Sequence, residues 1–184
     1  MSWTIPRTWT DTEFVDDDIM NAHIRDNLLA LGPHYMLMKS GDQSVTASTT
    51  LVNDAHLVLP VLANEVWKFE LTLIIQSNTT ADFKFGWTVP SGTTMSWSDP
   101  LFSSGGATQW MRDGSGAGNQ AALLTEVSSG SFNTTANVFG WNALGFIFTS
   151  TTTGNVVFQW AQNVASGTTT VKRGSCLEAR RGIG

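Results

Sequence analysis

The chain has 184 residues, 41% hydrophobic but only 14% charged, and a net charge of −5 at pH 7. That balance excludes a general nucleic-acid binder, which needs Lys and Arg to neutralise phosphates. The single cysteine, Cys176, excludes an internal disulfide and a multi-cysteine metal cluster.

Hydroxyl residues replace much of the missing charge, with 24 Thr and 17 Ser beside 17 Gly. Such a composition suits strands padded with Thr and joined by Gly turns, and so an all-β protein. No run of about 18 apolar residues is present, so no transmembrane helix is expected. Met1-Ser2-Trp3-Thr4-Ile5-Pro6 lacks the charged and apolar regions of a signal peptide.

Residues 1–17 read as an extended arm. Trp3, Ile5, Trp9 and Phe14 are its large apolar side chains. Each aromatic would bury about 150–250 Å² against something, either the chain's own domain or another chain.

Residues 18–41 read as a helix, 18–31, followed by a linker. Asp16, Asp17 and Asp18 supply an N-cap and negative charge at the positive end of the helix dipole. Capping explains these acids more simply than calcium binding. Met20, Ile24, Leu28 and Leu31 form one apolar stripe, with Asn27 at its edge as a candidate register-setting residue. Gly32 sits where a C-cap belongs, and Pro33 forbids continuation. A helix this short is marginal alone, so it needs the β-domain or copies of itself to pack on.

Residues 42–184 read as a β-sandwich of jelly-roll type. Strands are expected at 43–50, 55–60, 65–76, 82–89, 94–98, 121–128, 136–149, 153–163 and 168–179. The alternation is clearest in Val66-Trp67-Lys68-Phe69-Glu70-Leu71 and in Asp82-Phe83-Lys84-Phe85-Gly86-Trp87. Asn53-Asp54, Ala63-Asn64, Ser91-Gly92 and Thr153-Gly154 divide the runs as turns. The Gly/Ser-rich stretch 99–120 is too long for an ordinary connection and carries Trp110. It either folds back on the sandwich or displays a contact loop. Trp97 and Trp110 are the side chains suited to stack on sugar rings.

The search for reaction chemistry returns little. His23, His34 and His56 have no metal-ligand spacing. The run from Asp113 imitates a calcium loop but places Leu124 where Glu is required. No Gly-x-Ser-x-Gly elbow is present, and Cys176 reads as a small buried hydrophobe. Asp99, Asp113 and Glu126 are not paired by any pattern. The expectation is therefore no catalytic residue, no cofactor and no metal. Charge is unevenly placed: residues 1–30 carry −4, and residues 172–181 carry +3.

The segments Thr8-Trp9-Thr10-Asp11-Thr12-Glu13 and Met20-Asn21-Ala22-His23-Ile24-Arg25-Asp26-Asn27-Leu28 resemble an opening common among virion proteins of tailed phages and prophages. The closing Gly174-Ser175-Cys176-Leu177-Glu178-Ala179-Arg180-Arg181 resembles the small jelly-roll domain of the same group. The resemblance implies a non-enzymatic virion component, assembled in the host cytoplasm and commonly homotrimeric. Trp3, Ile5, Trp9 and Phe14 would anchor it to the major capsid protein or to tail or baseplate proteins. Met20, Ile24, Asn27, Leu28 and Leu31 would join the copies. The expected role is capsid decoration or head fibre. The alternative is a tail or baseplate appendage that binds a host receptor or surface glycan through Trp97 and Trp110. Neither nucleic acid nor membrane insertion is expected.

Overall fold

Wherever apolar and polar residues alternate, the chain forms strands that bury one face. A computed structural model of the chain describes residues 4–5, 7–30, 32–77, 80–81, 83–98, 111–114, 122–124 and 138–182. The Gly/Ser-rich stretch 99–120 lies mostly outside the described residues, Trp110 with it.

The helical run is α1 (Asp17–Met20), a π-helical turn (Asn21–Arg25) and α2 (Asp26–Ala30). The Asp16 side chain accepts from the Ile19 amide at 2.9 Å, the expected N-cap. Gly32 has φ +69°, the left-handed geometry of a helix end that favours Gly.

Twelve strands follow among the described residues: β1 (His34–Met38), β2 (Gln43–Thr46), β3 (Val52–Val61), β4 (Val66–Gln76), β5 (Phe83–Thr88), β6 (Thr94–Ser98), β7 (Met111–Gly114), β8 (Ala122–Leu124), β9 (Val138–Phe148), β10 (Gly154–Ala161), β11 (Thr168–Val171) and β12 (Cys176–Arg181). They pair as one long antiparallel hairpin. β1 and β2 pair with β12 and β11, β3 with β10, β4 with β9, and β5 with β8. The hairpin is rolled so that alternate pairs fall into different sheets. β12 joins β4 in an eight-stranded sheet, and β10 joins β5 in a four-stranded one. This wrapping is the jelly roll. The β6–β7 hairpin sits near the tip and extends the larger sheet beyond β9.

The two inner faces interdigitate. Phe69 of the larger sheet meets Trp87 of the smaller at 5.4 Å between ring centroids, and Trp141 meets Phe85 at 4.9 Å. Trp67, Leu71, Leu73, Phe158 and Trp160 complete the buried core. Gly145 lets β6 approach β9, because an added Cβ would lie 2.2 Å from the Ser96 carbonyl oxygen.

Four stretches depart from the sequence-based expectation. β7 lies inside the expected loop 99–120, because it pairs with β6, and Asn53-Asp54, expected as a turn, lies within β3, where a register shift against β10 takes up the irregularity. β1 occupies a stretch expected as linker, because Tyr35 and Leu37 alternate inward while Met36 and Met38 point out. The expected strand 168–179 is two strands, broken at Gly174 with φ +89°.

A buried ion pair pins the turn from β1 to β2 against β3. Lys39 Nζ donates to Asp54 Oδ2 at 2.6 Å, with neither side chain exposed. The cause lies in β3, whose register against β10 shifts between Val157 and Gln159. That bulge frees backbone N–H groups and rotates Asp54 inward. Asp54 Oδ1 accepts from the amides of His56 at 2.9 Å and Leu57 at 3.1 Å, and Gln43 Oε1 accepts from Ala55 at 3.0 Å. The Trp160 indole N–H also donates to Asp54 Oδ2, at 3.3 Å. The carboxylate thus satisfies the bulge and neutralises the buried lysine together.

Candidate functional site

The arm and helix form a unit held by polar bonds and carrying exposed apolar side chains. The Thr4 amide donates to Asn27 Oδ1 at 2.8 Å, and Asn27 Nδ2 donates to the Thr4 carbonyl at 3.0 Å. Arg7 pairs with Glu13 and lies over the Trp9 ring at 5.3 Å. Trp9 meets the His23 ring edge-on at 6.4 Å. These contacts return the arm along the helix.

The apolar residues of this unit are left open. Ile5 is 83% exposed, Phe14 84% and Leu28 63%, and Trp9, Met20 and Ile24 are each more than two-fifths exposed. No residue of Asp17–Arg25 is buried. Trp3 and Leu31, expected to extend these two groups, lie outside the described residues.

Asn27 is placed differently from the expectation. Its amide is committed to Thr4 and to the His23 carbonyl within the same chain, and it is buried. It ties the arm to the helix within the chain. Trp97 is a second correction. It is only 3% exposed and packs on Phe85 at 6.3 Å, so it offers no ring face to a sugar. Its position on the inner side of β6, opposite Gly145, explains the burial.

A surface that the sequence reading did not single out is the outer face of the larger sheet. Leu144, Phe146 and Phe148 line up along β9, each more than two-fifths exposed, with Val66 opposite Phe148. The signal was present in Leu144-Gly145-Phe146-Ile147-Phe148, a fully apolar run, which implies a strand apolar on both faces. Beside this row, Lys68 stands opposite both Phe146 and Arg180, and Glu70 stands opposite Glu178. Like charges therefore face each other across β4 and β12, and partial relief comes along the strand from Arg180 to Glu178 at 3.2 Å.

Cys176 is half-buried on this same face, a correction to its expected full burial. Desolvation, with Glu178 and Glu70 nearby, raises its pKa, so the thiol stays protonated.

A cleft of about 360 Å³ opens between the free edges of β1 and β3, lined by Tyr35, Pro60, Leu62, Trp67, Glu65 and Arg181 among others. Glu65 and Arg181 are its charged residues. Burial alone would raise the pKa of Glu65. The Leu62 amide at 2.8 Å, Arg181 at 2.9 Å and the Trp67 indole N–H at 3.0 Å outweigh that and hold it below the usual carboxylate range. With those bonds made, Glu65 clasps the end of β12 to the β3–β4 turn. Among the described residues no group of three or more His, Cys, Asp or Glu is placed to hold a metal. Among them no helix is long and apolar enough to cross a membrane.

No protein-family model matches the chain, and no curated protein matches it. Two solved structures show remote likeness. The tripod (BppUct-A-L) from the baseplate of bacteriophage Tuc2009 is 9% identical, covers 99% of this chain and 77% of its own, and gives a TM-score of 0.31. Infectious bursal disease virus Gx strain is 14% identical, covers 82% of this chain and 42% of its own, and gives a TM-score of 0.22. At these TM-scores neither likeness bears on function.

Proposed function

We propose that the chain is a non-enzymatic structural protein of a phage virion, a homotrimer displayed on the capsid as a decoration or head fibre. The arm, through Ile5, Trp9, Phe14 and Trp3, fixes it to the major capsid protein. The helix stripe, through Met20, Ile24, Leu28 and Leu31, joins the copies, and the jelly roll faces outward.

One observation carries this reading. The jelly roll closes its own core, while the arm and helix leave their largest apolar side chains in water. Exposed aromatic and aliphatic residues grouped in one terminal segment mark a surface that another chain covers. The resemblance of residues 8–28 to the opening of phage virion proteins supports the same reading.

Cryo-electron microscopy of the intact particle tests it. The expected result is density for this chain at symmetry-related sites on the shell, with the arm pressed on capsid subunits. Density confined to the tail tip would overturn the decoration role. It would make the arm a baseplate anchor and leave Trp110, in place of the buried Trp97, as the candidate glycan contact.

A further inference from the structure

We propose that β1 is a pairing edge: β1 of one copy adds antiparallel to β1 of a second copy, about a two-fold axis through Met36, and joins their larger sheets into one. The contact uses neither the arm nor the helix stripe, so it goes beyond the assembly proposed above.

The backbone decides which groups are on offer. Between β1 and β12 the Arg181 amide donates to the Pro33 carbonyl at 3.1 Å, and the Lys39 amide to the Ser175 carbonyl at 2.9 Å. Both bonds join directly opposed residues in the register that sets His34 opposite Arg180 and Met38 opposite Cys176. An antiparallel ladder alternates bonded and non-bonded pairs. Pro33, Tyr35, Leu37 and Lys39 therefore bond to β12, and His34, Met36 and Met38 turn their N–H and C=O groups to the other edge. Among the described residues no strand pairs with that edge. The cleft beside Tyr35 keeps it apart from β3.

A row of unpaired backbone groups is recognised by an extended strand. β1 itself fits. With the axis through Met36, the two Met36 residues face each other and His34 faces the other copy's Met38. Each of these pairs exchanges two backbone bonds. The pairing also covers Met36 and Met38, which are 59% and 55% exposed. On the inner face Leu37 falls opposite the other copy's Tyr35, and both are only partly buried in the single chain. β1 holds no Lys, Arg, Asp or Glu, so no like charges are opposed.

Edges that stay single are commonly blunted by Pro, Lys or a bulge. The facing edge has two of these devices. β3 carries Pro60, which has no N–H to offer, and a register shift against β10. β1 has neither, and its solvent side ends in two methionines. A strand of five residues makes a weak contact. It joins copies where they are crowded, as on a particle surface, and leaves them unjoined in dilute solution.

The test uses the full chain in a Cys176→Ser background. Met36→Cys is oxidised at rising protein concentration, beside Met38→Cys alone and an equal mixture of Met38→Cys with His34→Cys. Non-reducing electrophoresis is expected to show linked pairs of chains for Met36→Cys and for the mixture. Met38→Cys alone should not link, because the two sites lie about 14 Å apart along the paired strands. Met36→Pro removes an N–H that points away from β12, so the roll should keep its unfolding midpoint. Self-association, read by sedimentation at rising concentration, should weaken about ten-fold or more. No Met36→Cys link at any concentration, equal linking by Met38→Cys alone, or unchanged association of Met36→Pro overturns the pairing.

Discussion

In the jelly roll, Trp67, Phe69, Phe85, Phe158 and Trp160 disappear into a shared core between two sheets. In the arm and helix, Ile5, Phe14, Ile24 and Leu28 are of the same chemical kind and stay in solvent. The difference is one of supply. Each strand of the roll borrows a second apolar face from the opposite sheet, whereas the stripe of the arm and helix has no opposing face among the described residues. A helix of this length draws most of its stability from packing. The roll thus closes a core of its own, while the segment before it leaves its stripe open, and the proposed assembly would supply the missing face.

The contrast breaks most readily at the buried ion pair. Asp54→Ala strips Lys39 of its counter-charge and leaves the amides of His56 and Leu57 without their acceptor. The expected loss is about 3–5 kcal/mol, read by urea denaturation of the full chain. Arm mutations of similar chemistry should move that midpoint far less. Next comes Gly145→Ala, whose Cβ would strike the Ser96 carbonyl and the Trp97 backbone. Prising β6 from β9 should cost about 1–3 kcal/mol and shift near-ultraviolet circular dichroism from Trp97.

Acid sharpens the comparison further. Glu65 is held ionised below the ordinary carboxylate range in the folded roll. Its contribution is present above that range and is lost as pH falls through the lowered pKa. Unfolding midpoints of the wild type should therefore fall on acidification, and Glu65→Gln should remove that part of the slope. The smallest effect is expected from Asn27→Ala, which unties the arm from the helix. The roll should keep its midpoint within about 0.5 kcal/mol, while limited proteolysis cuts the arm faster.

Much of the roll was legible in the sequence because its strands alternate. Val66-Trp67-Lys68-Phe69 and Phe83-Lys84-Phe85 leave little choice of face. β1 was not legible as a strand. Met36 and Met38 are apolar on its solvent side, and that blurs the alternation of Tyr35 and Leu37. The jelly-roll order itself follows from long-range pairing that no local pattern states. The helix stripe was readable from spacing alone. The partners of Asn27 and the burial of Trp97 were not, because both depend on segments brought in from elsewhere: Thr4 for one, Phe85 for the other. The row on β9 was visible as an unbroken apolar run, but its exposure on the outer face emerges only from the fold.

Light scattering of the full chain beside a Met20→Ser/Ile24→Ser/Leu28→Ser variant tests most directly whether the segment before the roll is an assembly element. The expected result is a wild-type mass near three times 19.9 kDa, with the variant monomeric and its unfolding midpoint close to that of an isolated roll. A monomeric wild type, or a variant that keeps its trimeric mass, would contradict it.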